Sequence, residues 1–187
     1  FTTSYHDEDN YITLQNLAQN LYHLYKLTRK EKFSDEIRTY TAQFLGTIFD
    51  RLGWDSQKNE KHTNALLRSF VITALGKLGD KEILSEANKR FNKFLKNKNS
   101  LAADLQEPVF ILAAWQGDKK TYNKLLSLYR KSTLQEEKIR FLMAMCNFKQ
   151  KSLLLKTLAF SLTPEVRSQN IRAPIMGVSA NIYGKDI

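Results

Sequence analysis

Apolar residues recur at spacings of three and four along almost the whole chain, and this pattern restricts the fold more than any other feature. Leu14, Leu17, Leu21 and Tyr25 form one such stripe, as expected for an amphipathic helix. Seven similar stripes follow, and no segment alternates apolar and polar residues over a useful length. The sequence therefore predicts an all-α fold of about eight helices.

Three residues are expected at helix boundaries. Ser34 precedes Asp35 and Glu36 and is predicted to cap the second helix. Pro108 stands just before the fifth apolar stripe, and Pro164 ends the eighth.

Two similar junctions indicate a repeat. Gly79-Asp80-Lys81 and Gly117-Asp118-Lys119 stand 38 residues apart. In each, the glycine is expected to end one helix in the left-handed conformation, and the aspartate to cap the next. Two helices per unit of about 40 residues are typical of HEAT or armadillo repeats. The predicted fold is an α-α superhelix of antiparallel helices, with residues 1–187 forming a single α-helical repeat segment.

The formal net charge of +10 raises the question of an anionic partner. The lysines are spread along the chain, which is typical of solvated helix faces. Lys89, Lys93 and Lys96 share one face of the fourth helix and have two interpretations: a solvated face, or contacts to an anionic group such as a peptide carboxylate. Most aromatic residues fall on apolar stripes, which disfavours base stacking and hence nucleic-acid binding.

The sequence offers no recognisable catalytic or metal-binding motif. It has no H-E-x-x-H, no C-x-x-C, no phosphate-binding glycine loop and no nucleophile elbow. Cys146, the only cysteine, stands among apolar residues and is interpreted as a buried core residue in a reducing compartment. We expect no catalytic residue and no metal ligand in this chain. No apolar run is long enough for a membrane helix.

Two blocks of residues resemble a known family. The first contains Leu52-Gly53-Trp54, Glu60 with His62, Arg68, and Leu78-Gly79-Asp80. The second contains Val166-Arg167, Gln169, Asn181 and Gly184, although Asn170 and Lys185 stand where the family commonly has Asp and Arg. In this order, the residues resemble the C-terminal helical domain of the zinc aminopeptidases related to aminopeptidase N. These include the puromycin-sensitive, endoplasmic-reticulum and archaeal tricorn-interacting aminopeptidases.

The resemblance implies a non-catalytic domain that covers the active site and shapes the peptide-binding chamber of an enzyme that removes N-terminal residues from peptides. It implies no cofactor in this chain and one zinc ion in an upstream catalytic domain. The expected partners are that catalytic domain and peptide substrates, without membrane or nucleic acid, in the cytoplasm. Because the family's domain extends beyond both ends of the resemblance, the chain is expected to be an internal part of it.

The motif residues are interpreted as structural. Glu60, His62 and Arg68 are expected to form a polar cluster, and Arg167 and Gln169 to tie the loop after Pro164 to neighbouring helices. The full set is Gly53, Trp54, Glu60, His62, Arg68, Gly79, Asp80, Arg167, Gln169 and Asn181. Two other interpretations stay open: a stand-alone HEAT-like scaffold for a protein or anionic partner, and a nucleic-acid-binding helical repeat.

Overall fold

The computed structural model describes residues 10–185 and residue 187, and this part of the chain is built from α-helices without a β-strand. Nine α-helices and two short 3-10 turns, Lys98–Ser100 and Ser168–Asn170, are present in it. The prediction of an all-α fold is confirmed. The helices are α1 Tyr11–Thr28, α2 Ser34–Leu52, α3 His62–Leu78, α4 Lys81–Lys96, α5 Ala103–Gln116, α6 Lys119–Lys131, α7 Gln135–Met145, α8 Lys151–Ser161 and α9 Arg172–Ala180.

The first of two compact units contains the described residues up to Ser85 together with Ala102–Pro108. Within it α1, α2 and α3 pack against one another. Their apolar stripes meet in a core where Ala18, Leu45 and Val71 are fully buried. Burying a large aliphatic side chain contributes roughly 1.5–3 kcal/mol, which explains why these stripes rather than helix propensity hold the unit together.

The second unit contains Glu86–Leu101 and Val109–Ile187. Its core is rich in aromatic rings: the Phe110 centroid lies 4.8 Å from that of Phe94 and 5.1 Å from that of Phe141. Helix α6 packs on α7, and α8 packs on both α7 and α9. Short loops join contacting helices such as α6 and α7, so these pairs are antiparallel, consistent with the predicted HEAT-like repeats.

The junction at Gly79 follows the prediction. Gly79 has φ 101°, in the left-handed region, and its N–H donates to the carbonyl of Gly76. The Oδ1 of Asp80 accepts from the backbone N–H groups of Glu82 and Ile83, both at 3.0 Å, and so caps α4.

The junction at Gly117 differs in one respect. Asp118 caps α6 as predicted, since its Oδ1 accepts from the N–H of Thr121 at 3.0 Å. The prediction of a left-handed Gly117 is wrong, because Gly53 and Gly79 are the positive-φ glycines of the described chain. Close packing explains this glycine instead: a Cβ would stand 2.6 Å from the carbonyl oxygen of Ala113 and 2.8 Å from the Thr121 Cβ.

Two predicted boundaries were wrong, and one helix was not predicted. Ser34 is the first residue of α2 and makes no capping hydrogen bond; Phe33 occupies the N-cap position. Pro108 lies inside α5, which begins at Ala103, so the apolar stripe extends through a residue that lacks an N–H group. Helix α9 was missed because it contains Pro174, which is tolerated in a first helical turn, and Gly177.

Candidate functional site

The first motif block forms a buried ion pair at the loop between α2 and α3. The Nη2 of Arg68 donates to Glu60 Oε2 at 2.6 Å, and the two side chains are 1% and 10% exposed. Arg68 also donates to the end of α2, through Nη2 to the carbonyl of Leu52 at 3.1 Å and through Nε to that of Gly53 at 3.1 Å. A guanidinium therefore neutralises the negative end of a helix dipole and a carboxylate together.

Local backbone conformation brings these groups together. Gly53 ends α2 with φ 61°, and its N–H donates to the carbonyl of Phe49 at 2.7 Å. Asn59 also has a positive φ, of 66°, directly before Glu60. The N–H of Gln57 donates to Glu60 Oε2 at 2.9 Å, which fixes the loop around the carboxylate. The hydrogen bond from Arg68 holds the pKa of Glu60 below its ordinary value, although burial opposes this shift.

We call this cluster the Arg68–Glu60 lock, because its hydrogen bonds join the α2–α3 loop to the end of α2. Its one carboxylate is already paired, and Glu60 Oε1 and Arg68 Nη1 are buried without a hydrogen-bond partner among the described residues. His62 is exposed as the first residue of α3, so the structure brings Glu60 and Arg68 together without it. Trp54 is half-buried and meets the ring of Phe49 edge-on, with the centroids 6.3 Å apart.

A cavity of about 800 Å³ adjoins the lock. Its walls come from α1, the end of α2, the loop before α3 and the first turns of α3, and Glu60 lies on its surface. Within residues 10–185 and residue 187, no group of three His, Cys, Asp or Glu side chains is placed to hold a metal ion.

The second motif block centres on Asn181. This side chain is 4% exposed, and its Nδ2 donates to the carbonyls of Cys146 at 2.9 Å and Phe148 at 2.8 Å. Its Oδ1 accepts from the N–H of Tyr183 at 3.0 Å. Asn181 thus joins the end of α9 to the loop between α7 and α8. Gly184 permits this turn, since a Cβ there would lie 2.1 Å from the Val178 carbonyl oxygen.

The loop after Pro164 is linked to α6 by Glu165. Arg167 and Gln169 are both exposed. The carboxylate of Glu165 accepts two hydrogen bonds from Arg130, each at 2.7 Å, and its carbonyl accepts from Tyr129 Oη at 2.9 Å. The role expected of Arg167 and Gln169 stays a prediction. Arg130 and Glu165 are 35 residues apart, so no local sequence pattern indicates this pair.

The fourth helix presents Lys89, Lys93 and Lys96 to solvent, opposite the buried Phe91 and Phe94. The ammonium group of Lys89 lies 3.3 Å from a carboxylate oxygen of Glu86. The three lysines thus share an exposed face, as either interpretation of them requires.

Desolvation strongly shifts the pKa values of Tyr22, Lys77 and Cys146, and it raises the pKa of the Tyr22 hydroxyl well above its ordinary value. Burial raises the pKa of the Cys146 thiol to about 12, and the thiol donates to the Leu142 carbonyl at 3.3 Å, so this cysteine is a core residue and not a nucleophile. Burial, aided by the nearby charge of Lys26, lowers the pKa of Lys77 to about 8. All three shifts arise mainly from desolvation, and the second causes are the neighbouring groups Tyr25 at Tyr22 and Lys26 at Lys77.

No helix within the described residues is both long and apolar enough to cross a membrane.

Comparison with known proteins places these features in a family. All 187 residues match the family model described as the ERAP1-like C-terminal domain. The chain is 32% identical to Aminopeptidase M1 of Arabidopsis thaliana over 186 residues, which is 95% of the chain and 21% of that protein. It is 31% identical to Aminopeptidase M1-A of Oryza sativa subsp. japonica over 150 residues, or 78% of the chain and 17% of that protein. The chain is 30% identical to Glutamyl aminopeptidase of Mus musculus over 151 residues, which is 80% of the chain and 16% of that protein. The chain spans about a fifth of the length of these relatives.

Proposed function

Because this chain belongs to the family of ERAP1-like C-terminal domains, we propose that it is part of an aminopeptidase that removes N-terminal residues from peptides. The observation that carries the proposal is the match of the whole chain to that domain, together with its similarity to proteins named as aminopeptidases. The proposed role of residues 1–187 is to cover the active site and to form part of the wall of the peptide chamber.

The catalytic zinc ion belongs, in this proposal, to another part of the parent protein. The described residues contain no cluster that fits it, and Glu60 is already paired with Arg68. The partners of the chain are then the catalytic domain of the same protein and its peptide substrates. A reducing, cytoplasmic compartment is proposed from the single cysteine, Cys146, which is buried and unpaired with another cysteine.

The motif residues are proposed to act structurally, and the exposed lysines of α4 to act on substrate. The Arg68–Glu60 lock fixes the α2–α3 loop, and Asn181 fixes the end of α9. Small rotations between stacked helix pairs add up along a repeat protein. Loops that are held rigid would keep each helix pair intact during such a movement. Lys89, Lys93 and Lys96 would attract the carboxylate of a long peptide if their face turns toward the chamber.

The test uses the full-length protein encoded by the gene. We expect it to release N-terminal residues from synthetic peptides, to lose this activity in a chelator and to regain it with zinc, as followed by mass spectrometry. Full-length protein that leaves peptides intact under all these conditions would contradict the aminopeptidase assignment.

A variant of the same protein tests the chamber wall. Lys89→Glu combined with Lys93→Glu should raise KM for peptides of about ten residues severalfold and leave KM for a single-residue amide unchanged, because only a long peptide reaches the wall. Lys30→Glu with Lys32→Glu, two exposed lysines in the α1–α2 loop, is the matched control. An unchanged KM for long peptides in the α4 variant would exclude the contact.

A further inference from the structure

The excess positive charge of this chain is concentrated in two segments, and all their basic residues lie in the second unit. Residues 87–103 contain five basic and no acidic residues, and residues 119–135 contain the same numbers. The remaining 19 basic residues of the chain balance its 19 acidic residues, so these two segments account for the whole net charge of +10. The basic residues are spread along the chain, but the net positive charge is not.

The structure places part of this charge along one groove. Lys120, Lys124 and Lys131 follow one another on one side of α6 and line an open groove of about 810 Å³. None of the three forms an ion pair with another residue in the described part of the chain. By contrast, Arg130 on the same helix is neutralised by Glu165. The groove thus keeps its lysines free for a ligand.

The groove is lined in part by leucines, and amide side chains line a neighbouring depression. Leu128 of α6 and Leu95 of α4 both line the groove and are half-buried. An adjoining depression of about 120 Å³ shares Lys124 and is lined by Asn88 and Asn92 of α4. Ammonium groups, apolar surface and amide groups therefore occur side by side along two neighbouring helices.

This combination favours a polypeptide over the other anionic macromolecules. Proteins bind single-stranded nucleic acid by stacking its bases on exposed aromatic side chains. The aromatic residues of α4 and α6 are at most 3% exposed: Phe91, Phe94, Tyr122 and Tyr129. A peptide offers carboxylates to lysines, apolar side chains to leucines and main-chain amide groups to asparagines. Lys120 to Lys131 spans roughly 16 Å of helix, the length of about five extended residues.

We propose that the groove along α6 binds an extended acidic peptide segment, with its carboxylates on Lys120, Lys124 and Lys131 and its apolar side chains on Leu95 and Leu128. The proposal does not depend on the chamber role, because it involves different side chains from those of Lys89, Lys93 and Lys96. It needs several carboxylates in one ligand, whereas the chamber contact needs only one terminal carboxylate.

The experiment measures fluorescence anisotropy of a labelled peptide of about eight residues in which glutamate alternates with leucine, titrated with the 187-residue chain. Saturable binding that weakens as salt rises is expected, since the contacts are partly screened ion pairs. The same peptide with glutamine in place of glutamate should bind at least about tenfold more weakly, a difference of about 1.4 kcal/mol.

Matched charge reversals locate the site. Lys120→Glu with Lys124→Glu should raise Kd for the glutamate peptide by about tenfold or more, because two attractive contacts become repulsive. Lys30→Glu with Lys32→Glu changes the net charge equally at exposed positions of the first unit and should alter Kd by less than about threefold. Thermal denaturation checks that both variants are folded.

Three results would overturn the proposal. One is equal weakening in both variants, which would mean attraction by net charge alone. The second is equal binding of the glutamine peptide. The third is tighter binding of a single-stranded oligonucleotide of equal charge, or of phosphatidylserine vesicles, which would assign the groove to another class of partner.

Discussion

The Nη2 of Arg68 lies 2.6 Å from the Oε2 of Glu60, and the arginine side chain is only 1% exposed. The same guanidinium donates to the carbonyls of Leu52 and Gly53 at the end of α2. One side chain in the second turn of α3 therefore fixes the end of the preceding helix and the loop that joins them.

Replacement of Arg68 by alanine should lower the free energy of unfolding by about 3–5 kcal/mol, because it leaves the Glu60 carboxylate buried without its cation. Urea denaturation of the chain measures the change. Arg167→Ala is the control at an exposed motif position and should change stability by less than about 0.5 kcal/mol. Similar losses in the two variants would contradict a special role for Arg68.

The ion pair should make the free energy of unfolding depend on pH. Hydrogen bonding to Arg68 lowers the pKa of Glu60 in the folded chain below 4.5. The contribution of Glu60 is therefore fully present above the pKa of the unfolded chain and is lost as the pH falls through the lower folded pKa. Urea midpoints measured from pH 7 down to about pH 3 should fall less in Glu60→Gln than in the unaltered chain. Parallel curves would show that other carboxylates cause the acid sensitivity.

Three glycines should respond differently to alanine. Gly117→Ala should cost more than about 2 kcal/mol, because the new Cβ would stand 2.6 Å from a backbone oxygen. Gly79→Ala has open space but a left-handed backbone and should cost about 1 kcal/mol. Gly46→Ala, inside α2 with no atom within 4 Å of the Cβ, should stabilise the chain by about 0.5–1 kcal/mol.

Thermal melts of the three alanine variants give their order of stability. A Gly117→Ala variant as stable as Gly46→Ala would show that the α5–α6 junction relaxes around a methyl group.

Asn181→Asp should destabilise the chain more than Asn181→Ala. The alanine variant loses two donated hydrogen bonds and leaves the carbonyls of Cys146 and Phe148 unpaired, at a cost of about 2–3 kcal/mol. Aspartate also places a carboxylate against those two carbonyl oxygens. Asn123→Asp, on the exposed side of α6, is the matched control, and urea denaturation gives all three values. If the two Asn181 variants were equally stable, the buried carbonyl contacts would not determine the effect.

Much of the fold was predictable because its signals are local. Apolar stripes gave the first eight helices, and Asp80 and Asp118 cap α4 and α6 as predicted. The boundary at Ser34 failed because a serine alone does not show whether its side chain reaches the backbone. Helix α9 was not predicted because Pro174 and Gly177 are weak helix formers. Packing against α7 and α8 stabilises this helix.

The candidate site was less predictable, since it depends on distant residues. The family motifs identified Glu60, Arg68 and Asn181, and their structural role stays a prediction that the Arg68 and Asn181 variants test. The motifs also grouped His62 with Glu60 and Arg68, and the structure leaves it exposed. The lysines of the α6 groove had a signal in the sequence, the absence of acidic residues from 119 to 135, but no indication of a shared surface.

The sequence by itself determined the all-α class, the repeat junctions and the family, because helix periodicity and capping act within a few residues of the chain. Only the tertiary structure decided which charges are neutralised and which stay free. Arg68 is buried beside Glu60 and Arg130 is paired with Glu165, whereas Lys120 and Lys124 face an open groove. The physical reason is that the energy of a charge depends on its burial and on partners that packing, not sequence distance, brings near.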